Sequence, residues 1–228
     1  MNDYAYNYDE QEPFAAAEFA ENPEPRCPCV LLLDTSSSMQ GASIEELNRG
    51  LQMFRQELFN DSLSMKRVEI ALITFGPVSV LQDFTTADAF RPPTMEASGD
   101  TPLGAATGRG LTLLKQRKEI LRRNGIKLFR PWIFLITDGA PTDNWKHLPP
   151  IIREGEENKS FSFFALGVHN ADFGVLRQLA AREPLKLSGV RFNEFFLWLS
   201  ASLKNVSRSN PDDKVSIPDY KPYGWSEV

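Results

Sequence analysis

The sequence predicts an α/β fold: a doubly wound, mostly parallel sheet with one antiparallel edge strand and helices on both faces. Three observations carry this. Val30-Leu31-Leu32-Leu33 and Trp132 to Thr137 are continuous apolar runs rather than alternating ones, as in strands buried on both faces. Strand-like and helix-like segments alternate along most of the chain. One pair of strand-like segments, Val68 to Phe75 and Val78 to Phe84, is joined only by Gly76-Pro77, a link so short that it requires an antiparallel hairpin.

Each element follows in order. After the first apolar run, residues 43–59 place Ile44, Leu47, Leu51, Phe54 and Leu58 at helical spacing, with Ser43 able to cap and Glu45 and Glu46 in the first turn. The hairpin comes next, then a long helix from Leu103 to Arg123. The run Trp132 to Thr137 is a strand, and the helix after it, Leu148 to Asn158, begins near Pro149-Pro150, where proline suits a first turn. Phe161 to Val168 reads as a strand, Phe173 to Ala181 and Phe192 to Val206 as helices, and Leu185-Lys186-Leu187 as a short strand between them. The division is an acidic N-terminal tail over 1–26, one folded body over 27–208, and a Pro- and charge-rich extension over 209–228.

Composition narrows the function. At 228 residues with 42% hydrophobic and 24% charged side chains, the chain has the make-up of a folded globular protein, which excludes global disorder. No apolar run approaches the roughly 18 residues of a membrane span, and Met1 to Glu12 is acidic where a secretory leader is basic and then apolar, so neither a membrane protein nor an exported one is expected. Cys27 and Cys29, separated by Pro28, are too few for a disulfide framework, and a reducing, cytoplasmic setting follows. The net charge of −5 is concentrated in residues 1–25, which carry seven acids and no Lys or Arg; the remainder holds 25 basic against 23 acidic side chains. A nearly neutral body argues against a nucleic-acid protein driven by bulk charge.

In an open α/β sheet, ligands bind outside the carboxyl ends of the strands. Three loops stand there. Asp34-Thr35-Ser36-Ser37-Ser38 follows the first strand, Ser98-Gly99-Asp100-Thr101 precedes the long helix, and Thr137-Asp138-Gly139 follows the fourth strand. Small oxygen donors without thiolate or imidazole suit a hard cation, Mg²⁺ or Mn²⁺, over Zn²⁺. Hydroxyls neutralise such an ion less than carboxylates do, so it stays able to draw in an outside acidic ligand.

At these residues the sequence resembles the von Willebrand factor A (VWA) family, whose metal-ion-dependent adhesion site runs Asp-x-Ser-x-Ser, then a Thr, then an Asp. Asp34, Ser36, Ser38, Thr101 and Asp138 match in order, and the resemblance covers about residues 29–206. It implies the Rossmann-like VWA fold, direct metal ligation by Ser36, Ser38 and Thr101, and ligation by Asp34 and Asp138 either directly or through water. It also implies a non-enzymatic module whose metal captures a Glu or Asp of a partner protein. The motifs Leu31-Leu32-Leu33-Asp34-Thr35-Ser36-Ser37-Ser38-Met39, Gly99 to Gly104 and Phe134 to Asp143 are similar to those of bacterial TerY-type members. Those members are intracellular, belong to tellurite-resistance, stress and defence systems, and occur beside kinase- and phosphatase-like proteins. Asp100 departs from the pattern and is expected to point outward; Asp143 has either a supporting or a turn-capping role.

Two alternatives remain. A Mg²⁺-dependent phosphohydrolase would use the same Asp34, but such chemistry wants a second acid two residues on, where Ser36 stands, and the rim lacks a His, Cys or Lys to move protons. A nucleic-acid-associated scaffold would use the basic stretch of Lys115, Arg117, Lys118, Arg122, Arg123, Lys127 and Arg130, which reads more simply as a solvated helix face. Cys27 and Cys29 make a poor zinc set with only His147 and His169 in the chain, and a buried, inert pair is expected. One carboxylate of the acidic tail could also compete internally for the metal, and Tyr220, Tyr223 and Trp225 could dock on another protein or fold back.

Overall fold

The computed structural model describes residues 18–168, 170–187, 191–211 and 213, together with the backbone of 226–227. His169 and the aromatic residues Tyr220, Tyr223 and Trp225 lie outside the described residues, as does 1–17. The order is β1 (Cys27–Asp34), a 3₁₀ turn (Ser37–Met39), α1 (Ala42–Phe59), α2 (Ser62–Arg67), β2 (Val68–Phe75), β3 (Ser79–Thr86) and α3 (Leu103–Arg123). There follow β4 (Trp132–Thr137), α4 (Leu148–Glu157), β5 (Ser162–Val168), α5 (Phe173–Leu179), β6 (Leu185–Leu187), α6 (Phe192–Ser207) and the two-residue β7 (Ser226–Glu227).

The strands form one sheet in the order β3-β2-β1-β4-β5-β6-β7. β2, β1, β4, β5 and β6 are parallel, β3 is the antiparallel edge of the hairpin, and β7 pairs antiparallel at the other edge. Every residue of β1, β2 and β4 is buried, the signature of a sheet covered on both sides. The pleat divides the core: Leu31 and Leu33 point with Phe134 and Ile136 into a layer formed by α1 and α6. Val30 and Leu32 point with Ile133 and Leu135 to the opposite layer, which holds residues of α3, α4 and α5. The chain winds from β1 to β2 in one direction and to β4 in the other, so β1 and β4 flank the switch point where such sheets bind ligands.

Three local expectations are corrected. Gly41, not Ser43, precedes the first turn of α1; Ser43 lies inside that turn, buried, and makes no cap. The short helix α2 was not expected; Asp61 starts it by accepting the Ser64 N–H at 2.8 Å. Residues 18–26, grouped with the acidic tail, are packed on the body. Phe19 is buried against Leu121 and Ile126, and Arg26 and Glu69 form a 3.0 Å ion pair with both side chains wholly buried. Arg117 bonds the same Glu69 at 2.6 Å and Glu18 at 2.8 Å, so two guanidiniums meet two carboxylates.

Candidate metal centre

β1 and β4 run parallel in register, with Leu33 beside Ile136. The next residues, Asp34 and Thr137, therefore leave the sheet side by side, and the Thr137 hydroxyl donates to Asp34 Oδ2 across the switch point. The other oxygen of Asp34 accepts the Ser36 N–H at 2.9 Å. Ser36 Oγ lies 3.0 Å from Ser38 Oγ, and Ser38 Oγ donates to Asp138 Oδ1 at 2.6 Å. Four of the five expected residues thus form one continuous hydrogen-bonded rim.

Thr101 faces the same space. A Cβ built on Gly139 would lie 3.5 Å from Thr101 Oγ1 and 3.8 Å from Ser38 Oγ, so both hydroxyls flank one point. Its loop is tied in from both sides. Ser98 N–H donates to Thr35 O at 2.8 Å and Ser37 N–H to Gly99 O at 3.0 Å, while Thr142 N–H donates to Thr101 O at 2.9 Å. Asp143 caps the start of α3 from another loop, accepting the Gly104 N–H at 2.8 Å and the Ala105 N–H at 2.7 Å. This resolves the role left open for Asp143. Asp100 is exposed.

Thr137 was missed as a functional position, although it adjoins Asp138 at a strand end. So was Gly76, whose φ of 146° is tolerated by glycine and which leaves no room for a side chain between the two Ser loops: an added Cβ would lie 2.6 Å from Ser98 O and 2.7 Å from Ser36 N.

The electrostatics suit a cation. Asp34 is wholly buried and Asp138 nearly so. Burial pushes the Asp34 carboxyl above its ordinary range and the charge of Asp138 adds to this, against hydrogen bonds from Ser36 and Thr137. Among the described residues neither carboxylate is paired with a Lys or Arg. Two buried acids without a cationic partner are costly unless an ion joins them. Among the described residues no group of three or more His, Cys, Asp or Glu side chains could hold a metal ion, so a cation at this rim would rest on hydroxyls beside only two carboxylates. Cys27 and Cys29 are free and buried at the far end of β1, and burial pushes the Cys27 thiol up to about 12.

A mostly parallel sheet of this winding order with an oxygen-lined crevice at its switch point defines a class of α/β domain that binds its ligand at the strand ends. The family model described as von Willebrand factor type A domain matches residues 29–196, and the chain belongs to that family of metal-dependent adhesion and protein-interaction modules. Among solved structures it is similar to proximal thread matrix protein 1 from the mussel byssus, at 18% identity and a TM-score of 0.51, covering 79% of this chain and 48% of that one. It is also similar to the pilus adhesin SpaC from Lactobacillus rhamnosus GG, at 13% identity and a TM-score of 0.58, covering 79% of this chain and 30% of that one. The chain thus spans less than half the length of these structures, and at such identities the likeness is one of fold. No curated protein sequence matches significantly. Among the described residues no helix is long and apolar enough to cross a membrane.

Proposed function

We propose that this domain binds a partner protein through a divalent cation, Mg²⁺ or Mn²⁺, held by Asp34, Ser36, Ser38, Thr101 and Asp138. The observation that carries this is the single rim formed by three loops, with two buried carboxylates that have no cationic side chain beside them. When bound, the ion supplies an electrophilic point for an outside carboxylate, a Glu or Asp of the partner. The chain's own part is preorganisation. Thr137 and the Ser36 amide hold Asp34, Ser38 holds Asp138, and the Ser98 to Thr101 loop is fixed on both sides.

Nothing in this arrangement supports hydrolysis. The position two residues after Asp34 is a serine engaged with Ser38, not the second acid that phosphoryl transfer of this kind wants. The TerY-type setting, with cytoplasmic stress or defence systems and kinase- or phosphatase-like partners, rests on the three sequence motifs and the free thiols.

The test is titration calorimetry of the full chain with Mg²⁺, together with a pull-down from the native host with and without EDTA. Asp34→Ala and Thr101→Ala abolish the heat and the chelator-sensitive captures while leaving the far-UV spectrum unchanged. Capture that persists in EDTA, or salt-dependent capture without metal, overturns the reading.

A further inference from the structure

The charge on the opposite side of α3 is not used by the metal centre. A cleft of about 660 Å³ runs between α3 and α4, lined by Lys115, Lys118 and Arg122, by the acids Glu119 and Glu154, and by apolar residues such as Leu111 and Ile151, so its lining carries one net positive charge. At its lower end it shares Lys118, Arg122, Asn158 and Ser160 with a second hollow, which adds Lys159, Arg130, Arg182 and the acid Asp213. Arg130 and Arg182 are neutralised by Glu156 at 2.7 and 2.8 Å. Lys115, Lys118, Arg122 and Lys159 have no carboxylate partner among the described residues. Lys118 is half-buried, donating to Ser160 O at 2.9 Å, and burial with the neighbouring Arg122 charge pushes its pKa down. An anion would relieve both effects.

The chain carries a fitting anion close by. Residues 1–17 hold Asp3, Asp9, Glu10 and Glu12, with Tyr4, Tyr6 and Tyr8, and no Lys or Arg. Their point of attachment is fixed: Glu18 is bonded to Arg117 of the same helix α3. Phe19 sits in an apolar seat that includes Leu128, and Leu128 is also a wall of the lower hollow. Seventeen residues reach up to about 55 Å when extended, several times the width of a helix. A tether of this kind sets a local concentration on the order of millimolar, so weak charge pairing suffices.

We infer that the groove between α3 and α4 is an acidic-peptide site whose occupant is the chain's own N-terminal segment, residues 1–17. Its carboxylates pair with Lys115, Lys118, Arg122 and Lys159. The site opposes the metal centre's chemistry in sign and accepts acids without an ion.

Zero-length carbodiimide cross-linking of the intact chain, read by peptide mass spectrometry at low salt, tests this. Lys66 and Lys127 also lie near the arm and are the internal comparison; the Glu57 to Lys204 pair, 2.8 Å apart, calibrates yield. Cross-links from Asp3, Asp9, Glu10 and Glu12 are expected to favour Lys115, Lys118 and Lys159 at least fivefold over Lys66 and Lys127. They fall severalfold at 0.5 M salt and in Arg122→Glu, which removes no lysine. Equal yields at all five lysines overturn the inference. So do cross-links that join isotopically distinct copies, or their absence while Glu57–Lys204 forms.

Discussion

Substituting Gly76 by alanine tests whether the rim works as one rigid piece. Gly76 closes the β2–β3 hairpin directly beneath two of the three loops. Its added Cβ would meet Ser98 O at 2.6 Å, Ser36 N at 2.7 Å and the Thr35 carbonyl carbon at 2.7 Å, all of them backbone atoms that cannot rotate away. Two costs combine. A positive φ costs an alanine roughly 1–2 kcal/mol, and forcing atoms into a packed site costs a further 1–3 kcal/mol. A loss of about 3–4 kcal/mol is expected, a large share of the 5–15 kcal/mol by which domains are stable. Gly125 is the control: its φ is 70° and an added Cβ meets nothing within 4 Å, so Gly125→Ala isolates the backbone cost at about 1 kcal/mol. Urea unfolding of both variants gives the difference, and Mg²⁺ calorimetry on the folded fraction shows whether the ion site has moved. Affinity should drop at least tenfold in Gly76→Ala and stay unchanged in Gly125→Ala. If Gly76→Ala loses no more stability than Gly125→Ala and binds Mg²⁺ normally, the three loops are not interlocked as described.

Asp143→Ala removes the two amide acceptors at the head of α3, costing about 1 kcal/mol in urea. Because Thr101 immediately precedes that head, its Mg²⁺ affinity falls more than stability alone explains; unchanged affinity would count against coupling of the two loops. Cys27 and Cys29, wholly buried, resist thiol reagents in the native state. With the Cys27 thiol pushed up to about 12, the thiolate at pH 8 is only on the order of 10⁻⁴ of the total. Two equivalents of an aromatic disulfide reagent should react in urea and essentially none without it.

The large features were legible because they rest on strong local signals. β2, α3, β4 and β6 have the limits read from the sequence, since a doubly covered sheet needs unbroken apolar runs and a long helix repeats its apolar face many times. α2 is only six residues, too short to show a period, and its sign is a single capping aspartate at Asp61. The arm at 18–26 was misread for a different reason. Its glutamates look solvated until Arg117, 99 residues away from Glu18, is brought beside them by the fold. The candidate site shows the same split. The five rim oxygens sit in three recognisable motifs, but what holds them in place does not: Asp143 reaches 39 residues back to Gly104, and Gly76 acts through backbone atoms that no motif contains.

Holding an ion and capturing a partner's carboxylate are separable properties, and Ser36 is where they divide. The rim offers two carboxylates, Asp34 and Asp138, and otherwise neutral hydroxyls, so a dication held there is already near formal balance without being saturated by strong ligands. Ser36→Asp adds a third carboxylate at a position whose Oγ lies 3.0 Å from Ser38 Oγ, inside the rim. With three fixed negative charges the ion binds at least as tightly, since affinity rises with ligand charge, but an incoming Glu or Asp now meets net negative charge at close range. Mg²⁺ calorimetry should show equal or stronger binding, while the EDTA-sensitive capture falls tenfold or more. The same change also places a second acid two residues after Asp34, the pattern that phosphoryl-transfer chemistry asks for, so turnover of a generic phosphoester should be assayed alongside. Should Ser36→Asp retain full capture, the partner is not gripped through a carboxylate on the ion, even if the ion itself is bound where the geometry suggests.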